Sequence, residues 1–394
     1  MPYYQRNILV LSTTIFLATL SWQQVMPFLS FFLEDLGASN PAAWTCGVFA
    51  AQALAFILAM PLWGKLADTL GRKPMIIRAG VCLVGIYFGM SYCTAPWHVL
   101  VFRFLNGALT GFIPSSFALI ATNTPQDKAP RFMATAQTAG ALGSVIGPPI
   151  GGLLADQFGY RGSMRVSGLA VLISVLLVWW FVKEPNKARD TEKTSILEDL
   201  RTAARSRVLS SVLFAALVSA VLFSAIGPVL ALHLKRIQGG GPQWIAGMVF
   251  ALPAVAFMVS AHWWSRAGER WGYRRVIMLG LLGGGIGALL LAPIGNIWVF
   301  ALIYFACGLL MASVSPAIGA IICLRVDETF RGRAYTMQQA SGVLGALLAL
   351  LGGLYVGKVF GTPGIFVMSG ILMLLGAIAY RIMATGKQQG GKTP

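Results

Sequence analysis

The sequence predicts an all-α integral membrane protein with twelve transmembrane helices in two six-helix, pseudo-symmetric bundles. Three observations carry this prediction: an apolar composition, the spacing of long apolar runs, and a repeat of short motifs between the two halves of the chain. Of the 394 residues, 57% are hydrophobic and only 11% are charged. Soluble domains carry about 25% charged residues. This composition therefore suits a lipid environment, in which apolar surface need not be hidden from water.

The apolar runs have the length of membrane spans, because a transmembrane helix needs about 20 mostly apolar residues. The longest polar stretch, 184–208, separates six of these runs from six others and predicts a cytosolic linker. We therefore expect an N-terminal bundle over 1–183 and a C-terminal bundle over 209–394. The twelve runs lie near residues 8–33, 42–63, 75–94, 97–122, 132–156, 164–182, 209–234, 244–265, 275–292, 297–323, 334–358 and 363–384.

The formal net charge is +17, and the basic residues concentrate on the side of the two termini. The other side is expected to carry only a few: Arg161, Arg165, Lys235, Arg236 and Lys358. The positive-inside rule then places both termini and the linker in the cytosol. Basic loops that set topology and meet anionic lipid account for this charge, so no nucleic-acid partner is expected.

The two halves of the chain repeat each other with an offset of 201 residues. "GKLADTLGRKP" follows the second run and "SRAGERWGYRR" follows the eighth, so that Asp68 aligns with Glu269 and Gly71 with Gly272. Parallel repeats of six helices are typical of transporters that bind their substrate at the repeat interface.

Several motifs resemble those of the major facilitator superfamily. "GKLADTLGRKP" is similar to the loop 2–3 motif of that superfamily, and "RFLNGALTG" from Arg103 is similar to its fourth-helix arginine motif. "GSVIGPPIGG" resembles the fifth-helix motif of its drug:proton antiporter branches, and "VMPFLSFFLEDLG" and "GFIPSSFALIAT" resemble bacterial multidrug-resistance exporters. The resemblance implies the twelve-helix fold of the superfamily, transport of a small molecule, and neither an enzyme activity nor a cofactor or metal.

The fifth apolar run contains glycines four residues apart, which share one face of a helix. Gly143, Gly147 and Gly151 form a stripe without bulk that permits close helix packing in lipid. Pro148 and Pro149 lack backbone N–H groups, so we expect a bend there. Two interpretations remain open: dense packing alone, or a pivot or seal between the two halves, for which the resemblance adds Gly152.

The loop after the second run has two glycines that permit a tight reversal, together with charges of both signs. By resemblance, these residues form a cytosolic latch that holds the halves together in one state and releases them in the other. The alternative is a charged loop that only sets topology. The expected latch residues are Gly64, Asp68, Gly71, Arg72 and Lys73.

Arg103 is the only charged residue that the sequence places well inside a span. A charge in lipid is expensive and normally faces a partner or a wet cavity, so Arg103 is expected to line a cavity and to help control proton traffic. The alternative is a long side chain that reaches the outer interface. We expect the substrate cavity to be lined by polar and aromatic groups, which suit bulky amphipathic ligands and can hold a cation: Trp22, Gln23, Gln24, Met26, Arg103, Asn106, Phe223 and Tyr304, with Gln338 and Gln339 as second choices.

No carboxylate of the thirteen in the chain is expected near the middle of the membrane. A buried acid is a common proton carrier because burial brings its pKa toward neutrality. The candidates here are Glu34 and Asp35 at the outer mouth, with Glu34 expected to pair with Arg103, and His262 near the cytosolic end of the eighth helix. The alternative for the two acids is a solvated position that only caps the loop.

These observations predict a monomeric, proton-coupled exporter of lipophilic compounds in a bacterial inner membrane, working by alternating access. The sequence keeps a second function open: an exporter or uniporter of a specific metabolite (a siderophore, a sugar or a lipid) without classical proton antiport. A membrane enzyme or receptor is disfavoured, because no metal-ligand cluster, nucleophile–base pair or sensor domain is visible.

Overall fold

The computed structural model of the chain describes residues 3–125, 128–184, 196–326 and 328–385, and within these ranges the regular structure is entirely helical. The first half contains α1 (Tyr3–Val25), α2 (Leu29–Asp35), α3 (Pro41–Leu70), α4 (Arg72–Ser91), α5 (Pro96–Leu109), α6 (Phe112–Asn123) and α7 (Ala129–Phe181). A short helix, α8 (Ile196–Arg205), precedes the second half. That half contains α9 (Arg207–Gln238), α10 (Gln243–Trp271), α11 (Tyr273–Leu291), α12 (Ile297–Met311), α13 (Val314–Arg325) and α14 (Glu328–Thr385).

Ten helical stretches in the described ranges are long and apolar enough to cross a membrane. Two of them lie in helices of 53 and 58 residues, α7 and α14, and each of these contains one glycine with non-helical dihedral angles. Gly159 has φ 68° and Gly361 has φ 67°, a backbone region that glycine enters without steric cost. Each long helix therefore divides into two passes, which gives the twelve passes that the sequence predicts.

Three of the predicted spans are interrupted, which the apolar runs did not indicate. The first span breaks between α1 and α2 at Pro27, which cannot donate a backbone hydrogen bond. The fourth breaks at Gly111, whose φ is 144°, and the tenth breaks between α12 and α13. The fourth and tenth spans are equivalent in the repeat, so this break is a feature of both halves.

Each half has its own buried apolar core, and large apolar side chains on the outside face the surrounding lipid. Leu58, Trp180, Leu302 and Ile382 are examples of such exposed side chains, each more than half exposed. We call the face that carries Tyr3 the terminal face, and the face that carries Glu34 the opposite face. The halves meet where α7 crosses α10 and where α3 crosses α14, with further contacts of α2 and α3 with α9.

Candidate functional site

A central cavity of about 240 Å³ lies between the two halves. Its wall is mostly apolar and aromatic, with one amide side chain, and it is built by α1, α3, α9 and α14 together with the break after α1. The lining residues are Trp22, Met26, Phe49, Gln52, Ala53, Phe56, Ser224, Pro228, Ala346 and Leu350. Trp22 and Met26 are therefore placed in the wall of a cavity that both halves share.

Arg103 lies directly behind this wall, and its side chain is only 1% exposed. Its guanidinium lies 5.2 Å from the ring centre of Trp22 and 5.1 Å from that of Phe49. Its Nη1 donates to Oε1 of Gln52 at 3.4 Å. The side chain thus points into the protein interior and does not reach the outer interface, which was the alternative that the sequence left open.

The surroundings of Arg103 leave several buried polar atoms without a hydrogen-bond partner. They are Nε and Nη2 of Arg103, both side-chain amide atoms of Asn106, and the hydroxyl of Tyr87 on α4. Asn106 lies one turn further along α5 and is also 1% exposed. Gly107 allows this part of α5 to pack against α3, because a Cβ there would collide with the backbone carbonyl of Gln52. Close helix packing therefore fixes the guanidinium behind the cavity.

Other residues expected in the cavity lie elsewhere. Gln24 is buried between α1 and α7, where its Nε2 donates to the Ser163 carbonyl at 3.0 Å and to the Ser167 hydroxyl. Gln23 lies close to Gly147 on α7. Phe223 and Tyr304 pack edge to face within the second half, with ring centres 6.2 Å apart. Neither Gln338 nor Gln339 on α14 lines the cavity.

A second pocket of about 630 Å³, which we call the outer pocket, opens at the opposite face. There, Nζ of Lys235 lies 2.9 Å from Oε2 of Glu34, in an ion pair between the two halves whose side chains are 50% and 42% exposed. In this structure Glu34 therefore pairs with Lys235, and Arg103 lies beside Trp22, Phe49 and Gln52, so the expected pair of Glu34 with Arg103 is wrong. We call Glu34 and Lys235 the outer ion pair.

The outer ion pair joins two equivalent positions of the repeat, because residue 235 follows residue 34 by the same 201 positions. The neighbouring Asp35 is exposed at the opposite face, beyond the apolar run 8–33. Partial burial, together with the negative charge of Glu34, raises the pKa of Asp35 above its ordinary value. Nothing in the sequence indicated that Glu34 would pair with the residue equivalent to it in the repeat.

Asp156 makes a second polar contact between the halves at this face. Its carboxylate accepts hydrogen bonds from the backbone N–H of Gln243 at 3.1 Å and of Trp244 at 3.3 Å, at the first turn of α10. The hydroxyl of Tyr160 accepts a hydrogen bond from Nε2 of Gln243 at 2.7 Å. A negative charge is stabilised at a helix N-terminus, so Asp156 ties α7 to α10. The sequence analysis did not single out Asp156.

The glycine stripe of α7 faces the same half rather than the other one. A Cβ at Gly143 would meet the Phe16 carbonyl oxygen at 2.7 Å, and one at Gly151 would collide with the backbone of Gln24, so the stripe packs against α1. The helix continues through both prolines, and its helical dihedral angles are interrupted at Gly159. The stripe itself therefore serves close packing inside the first half.

The adjoining face of α7 forms the contact between the halves. A Cβ at Gly152 would meet Cα of Trp244 at 2.5 Å, and one at Gly247 would collide with the backbone of Pro148. Backbone therefore meets backbone where α7 crosses α10. Of the residues in the fifth-helix motif, Pro148, Pro149 and Gly152 lie at this interface.

The loop between α3 and α4 is anchored by Glu184, at the start of the linker. Gly71 has φ 95°, which favours glycine, and the two backbone N–H groups that follow, those of Arg72 and Lys73, donate to the Glu184 carboxylate at 2.8 and 2.9 Å. Nζ of Lys73 also donates to the carbonyl of Val182 at 2.7 Å. The structure thus connects this loop to the end of α7, whereas the side chains of Lys65 and Asp68 lie outside what it describes.

The two histidines of interest differ in their surroundings. His262 is exposed on α10 beside Trp263, and it does not line the central cavity. His233 on α9, which the sequence analysis did not single out, is buried, with ring centres of Phe300 and Phe366 at 5.4 and 4.6 Å. A histidine inside a long apolar run was the available signal for this residue.

A cavity shared by two repeated six-helix halves, with polar contacts that close one face, is the architecture of a membrane transporter. Comparison of the sequence with known protein families agrees with this assignment as a transporter. The chain belongs to the Major Facilitator Superfamily, whose family model matches residues 11–263 and 212–394. It is a multi-pass membrane transporter of small molecules and not an enzyme.

Individual relatives cover nearly the whole chain. The chain is 30% identical to the multidrug resistance protein MdtG of Salmonella arizonae and to that of Salmonella typhimurium, over 95% of this chain and 94% of each relative. Among solved structures, a bacterial homologue of the human lysosomal transporter Spinster matches with a TM-score of 0.80 and 14% identity, over 98% of this chain and 97% of that one. The nucleoside transporter NupG matches with a TM-score of 0.80 and 15% identity, over 98% and 100%. These structural matches show the fold.

Proposed function

We propose that the protein exports lipophilic or amphipathic compounds from the cytoplasm across a bacterial inner membrane, with both termini in the cytosol, in exchange for protons. The observation that carries this proposal is the central cavity, whose aromatic and aliphatic wall comes from both halves. Such a wall binds bulky apolar groups without demanding one shape. The similarity to relatives that are named as multidrug resistance proteins supports the same substrate class.

Transport in this proposal follows alternating access. In this proposal, the outer ion pair and the contacts of Asp156 with α10 belong to the state that is closed to the outside, and they are broken when that face opens. The bundles 1–183 and 209–394 then rock about the two crossings, with 184–208 as the connection between them. The loop of Gly71, Arg72 and Lys73 acts with Gly64 and Asp68 as the cytosolic latch, which Glu184 holds to the end of α7.

Proton coupling in this proposal occurs at the opposite face. Glu34 lies in the outer pocket and faces the side from which protons enter an exporter. Protonation of Glu34 removes the attraction to Lys235 and so favours opening of this face. Asp35 contributes less because, unlike Glu34, it forms no ion pair with a described residue of the other half. His262 and Arg103 remain further candidates, His262 the weaker because it lies away from the cavity.

The experiment that tests the function uses purified protein in liposomes. We expect accumulation of a neutral lipophilic dye such as N-phenyl-1-naphthylamine to follow an imposed pH gradient, and to stop when a protonophore removes that gradient. Liposomes without protein are the control. Absence of any dye movement at any gradient contradicts the export function, whereas movement that is indifferent to pH contradicts proton coupling only.

The second candidate function is export or uniport of one specific metabolite (a siderophore, a sugar or a lipid) without proton antiport. The specific observation in its favour is that Glu34 and Asp35, the acids assigned to coupling, are exposed at the surface rather than buried beside the cavity. Competition between unrelated compounds distinguishes the two functions, because a multidrug exporter is inhibited by many of them and a specific transporter by few.

A further inference from the structure

We propose that the compounds this cavity binds best carry an anionic group, such as a carboxylate, attached to an apolar body, and that Arg103 selects for this charge through Gln52. The inference rests on the proposed export function and narrows its substrate class. The site consists of the central cavity, whose wall includes Gln52, and of Arg103 and Asn106, which are buried behind that wall.

The first step of the argument is the charge of the site. Arg103 is 1% exposed, and neither Nε nor Nη2 has a hydrogen-bond partner among the described residues. The contacts described for its guanidinium are the amide of Gln52 and the faces of two aromatic rings, and none of them is a carboxylate. A buried cation that lacks a counterion is costly, so an anion that comes close to it is stabilised.

The second step is the path from the cation to the cavity. Gln52 lines the cavity, and its Oε1 accepts the hydrogen bond from Nη1 of Arg103. The amide group of the same side chain is therefore oriented with its acceptor toward the guanidinium, and its Nε2 is left to donate. A carboxylate accepts from such a donor and a ligand ammonium cannot, because an ammonium only donates hydrogen bonds.

The third step concerns the aromatic wall, which could otherwise favour cations. Trp22 and Phe49 line the cavity, but their rings already lie within 5.2 Å of the Arg103 guanidinium. A second cation against these rings would meet a like charge through a medium of low dielectric constant, in which Coulomb forces reach further than in water. The wall therefore binds the apolar body of a ligand while the site disfavours a positive head group.

The fourth step is the rigidity of the site. A Cβ at Gly107 would collide with the backbone carbonyl of Gln52, so α5 and α3 are in direct backbone contact beside Arg103. Asn106 presents a buried amide without a partner one turn away. Because the helices hold these groups in place before a ligand arrives, little ordering is needed on binding.

The test compares three probes that share one apolar body and differ in charge: naphthylacetic acid, naphthylacetamide and naphthylethylamine. Equilibrium dialysis with the purified full-length protein at neutral pH measures their affinities. We expect the acid to bind about tenfold more tightly than the amide, which is the effect of one hydrogen bond to a charged group, and the amine to bind most weakly. Equal binding of the acid and the amide overturns the proposal.

Variants assign the selectivity to residues. Arg103→Gln is expected to lower the affinity for the acid to that for the amide, whereas Arg103→Lys should keep a preference for the acid. Gln52→Leu should lower the affinity for the acid and change the affinity for the amide little. Arg266→Gln, at an exposed position on α10, is the matched control and should bind all three probes as the parent does. A preference for the acid that survives unchanged in Arg103→Gln overturns the proposal. If that variant does not fold by gel filtration, an unchanged preference in Gln52→Leu does so.

Liposome flux separates this inference from the export function. If the parent transports all three probes at equal rates, the charge selectivity is wrong and the export function stands. If it transports neither the three probes nor the neutral dye, the export function itself is wrong.

Discussion

The two crossings between the halves have equivalent positions in the repeat but different chemistry. Where α7 crosses α10, a Cβ at Gly152 would meet Cα of Trp244 at 2.5 Å, whereas at the equivalent Gly353 on α14 it would meet the side-chain sulfur of Cys46 at 3.0 Å. The first crossing is stabilised by the carboxylate of Asp156, which accepts a hydrogen bond from the backbone N–H of Gln243. The second is stabilised by the neutral amide of Asn40, which donates to the Gly357 carbonyl at 3.2 Å. Pseudo-symmetry thus determines where the helices cross, and individual residues determine how closely and by which forces.

The largest effect is expected inside one half rather than between the halves. In Gly147→Leu the new side chain would collide with α1, because a Cβ alone would already meet the Leu20 carbonyl oxygen at 2.9 Å. We expect dye transport to be lost while the protein still inserts into the membrane, since overpacking separates the helices. The flux of the neutral dye per amount of membrane protein measures this. Gly342→Leu, at a glycine on α14 with open space around it, is the control, and normal transport by Gly147→Leu would contradict the packing argument.

The next prediction separates the two crossings directly. Gly152→Ala is expected to reduce transport markedly, because the backbone of α10 cannot move aside for the new methyl group. An overpacked contact costs about 1–3 kcal/mol, which changes an equilibrium between two states by about 5- to 150-fold. Gly353→Ala should have a small effect, because the sulfur of Cys46 can shift by a few tenths of an ångström. Initial rates of dye flux for the two variants give the comparison. Equal losses would show that the crossings do not differ in this way.

A smaller effect is expected for the polar groups at the crossings. Asp156→Asn weakens the contact with the N-terminus of α10, by about 0.5–2 kcal/mol for a charged group at such a site. The opposite face should therefore open more often, and more than in Asn40→Ala, which removes a neutral hydrogen bond. The measurement is maleimide labelling of Ala42→Cys, at a buried position that lines the pocket of the opposite face, after replacement of the five native cysteines. If Asn40→Ala increases labelling as much as Asp156→Asn, the charge of Asp156 has no special role.

The smallest effect on stability, and the most specific one on coupling, is expected at the outer ion pair. An exposed pair contributes less than about 1 kcal/mol, so Glu34→Gln should leave the melting temperature nearly unchanged. It should nevertheless make substrate flux less responsive to the pH gradient, with Asp35→Asn milder. Lys235→Gln breaks the same pair but keeps the acid, so it should retain more of the pH response. A response in Glu34→Gln equal to that of the parent would remove Glu34 from the coupling mechanism.

The fold was readable from the sequence because length and hydropathy suffice for it. A run of about 20 apolar residues has few alternatives to a membrane helix, and the 201-residue repeat divides the twelve runs into halves. The breaks near Pro27 and Gly111 were not predicted, because apolar residues continue through them and hydropathy does not register a local change of backbone direction.

The site was predicted less completely, because the direction in which a side chain points depends on the rotation of its helix about the helix axis. Trp22 and Met26 line the central cavity, but Gln24, two residues from Trp22, points to α7 and binds Ser163 and Ser167. Residues so near in sequence lie on different sides of a helix, and composition does not say which side faces the partner half. The partner of Glu34 was missed for a related reason: the choice between Arg103 and Lys235 depends on how the two halves meet.

The outer ion pair carries a consequence for the ancestry of the chain. Two positions related by the repeat can touch each other only where they lie on the pseudo-two-fold axis, so Glu34 and Lys235 mark that axis at the opposite face. If two identical halves once paired as a dimer, the same side chain would have faced its own copy there, and two glutamates or two lysines would have repelled each other. After gene duplication and fusion, opposite charges at these two positions favour the pairing of unlike halves. This attraction between opposite charges on the axis is open only to two halves whose sequences differ.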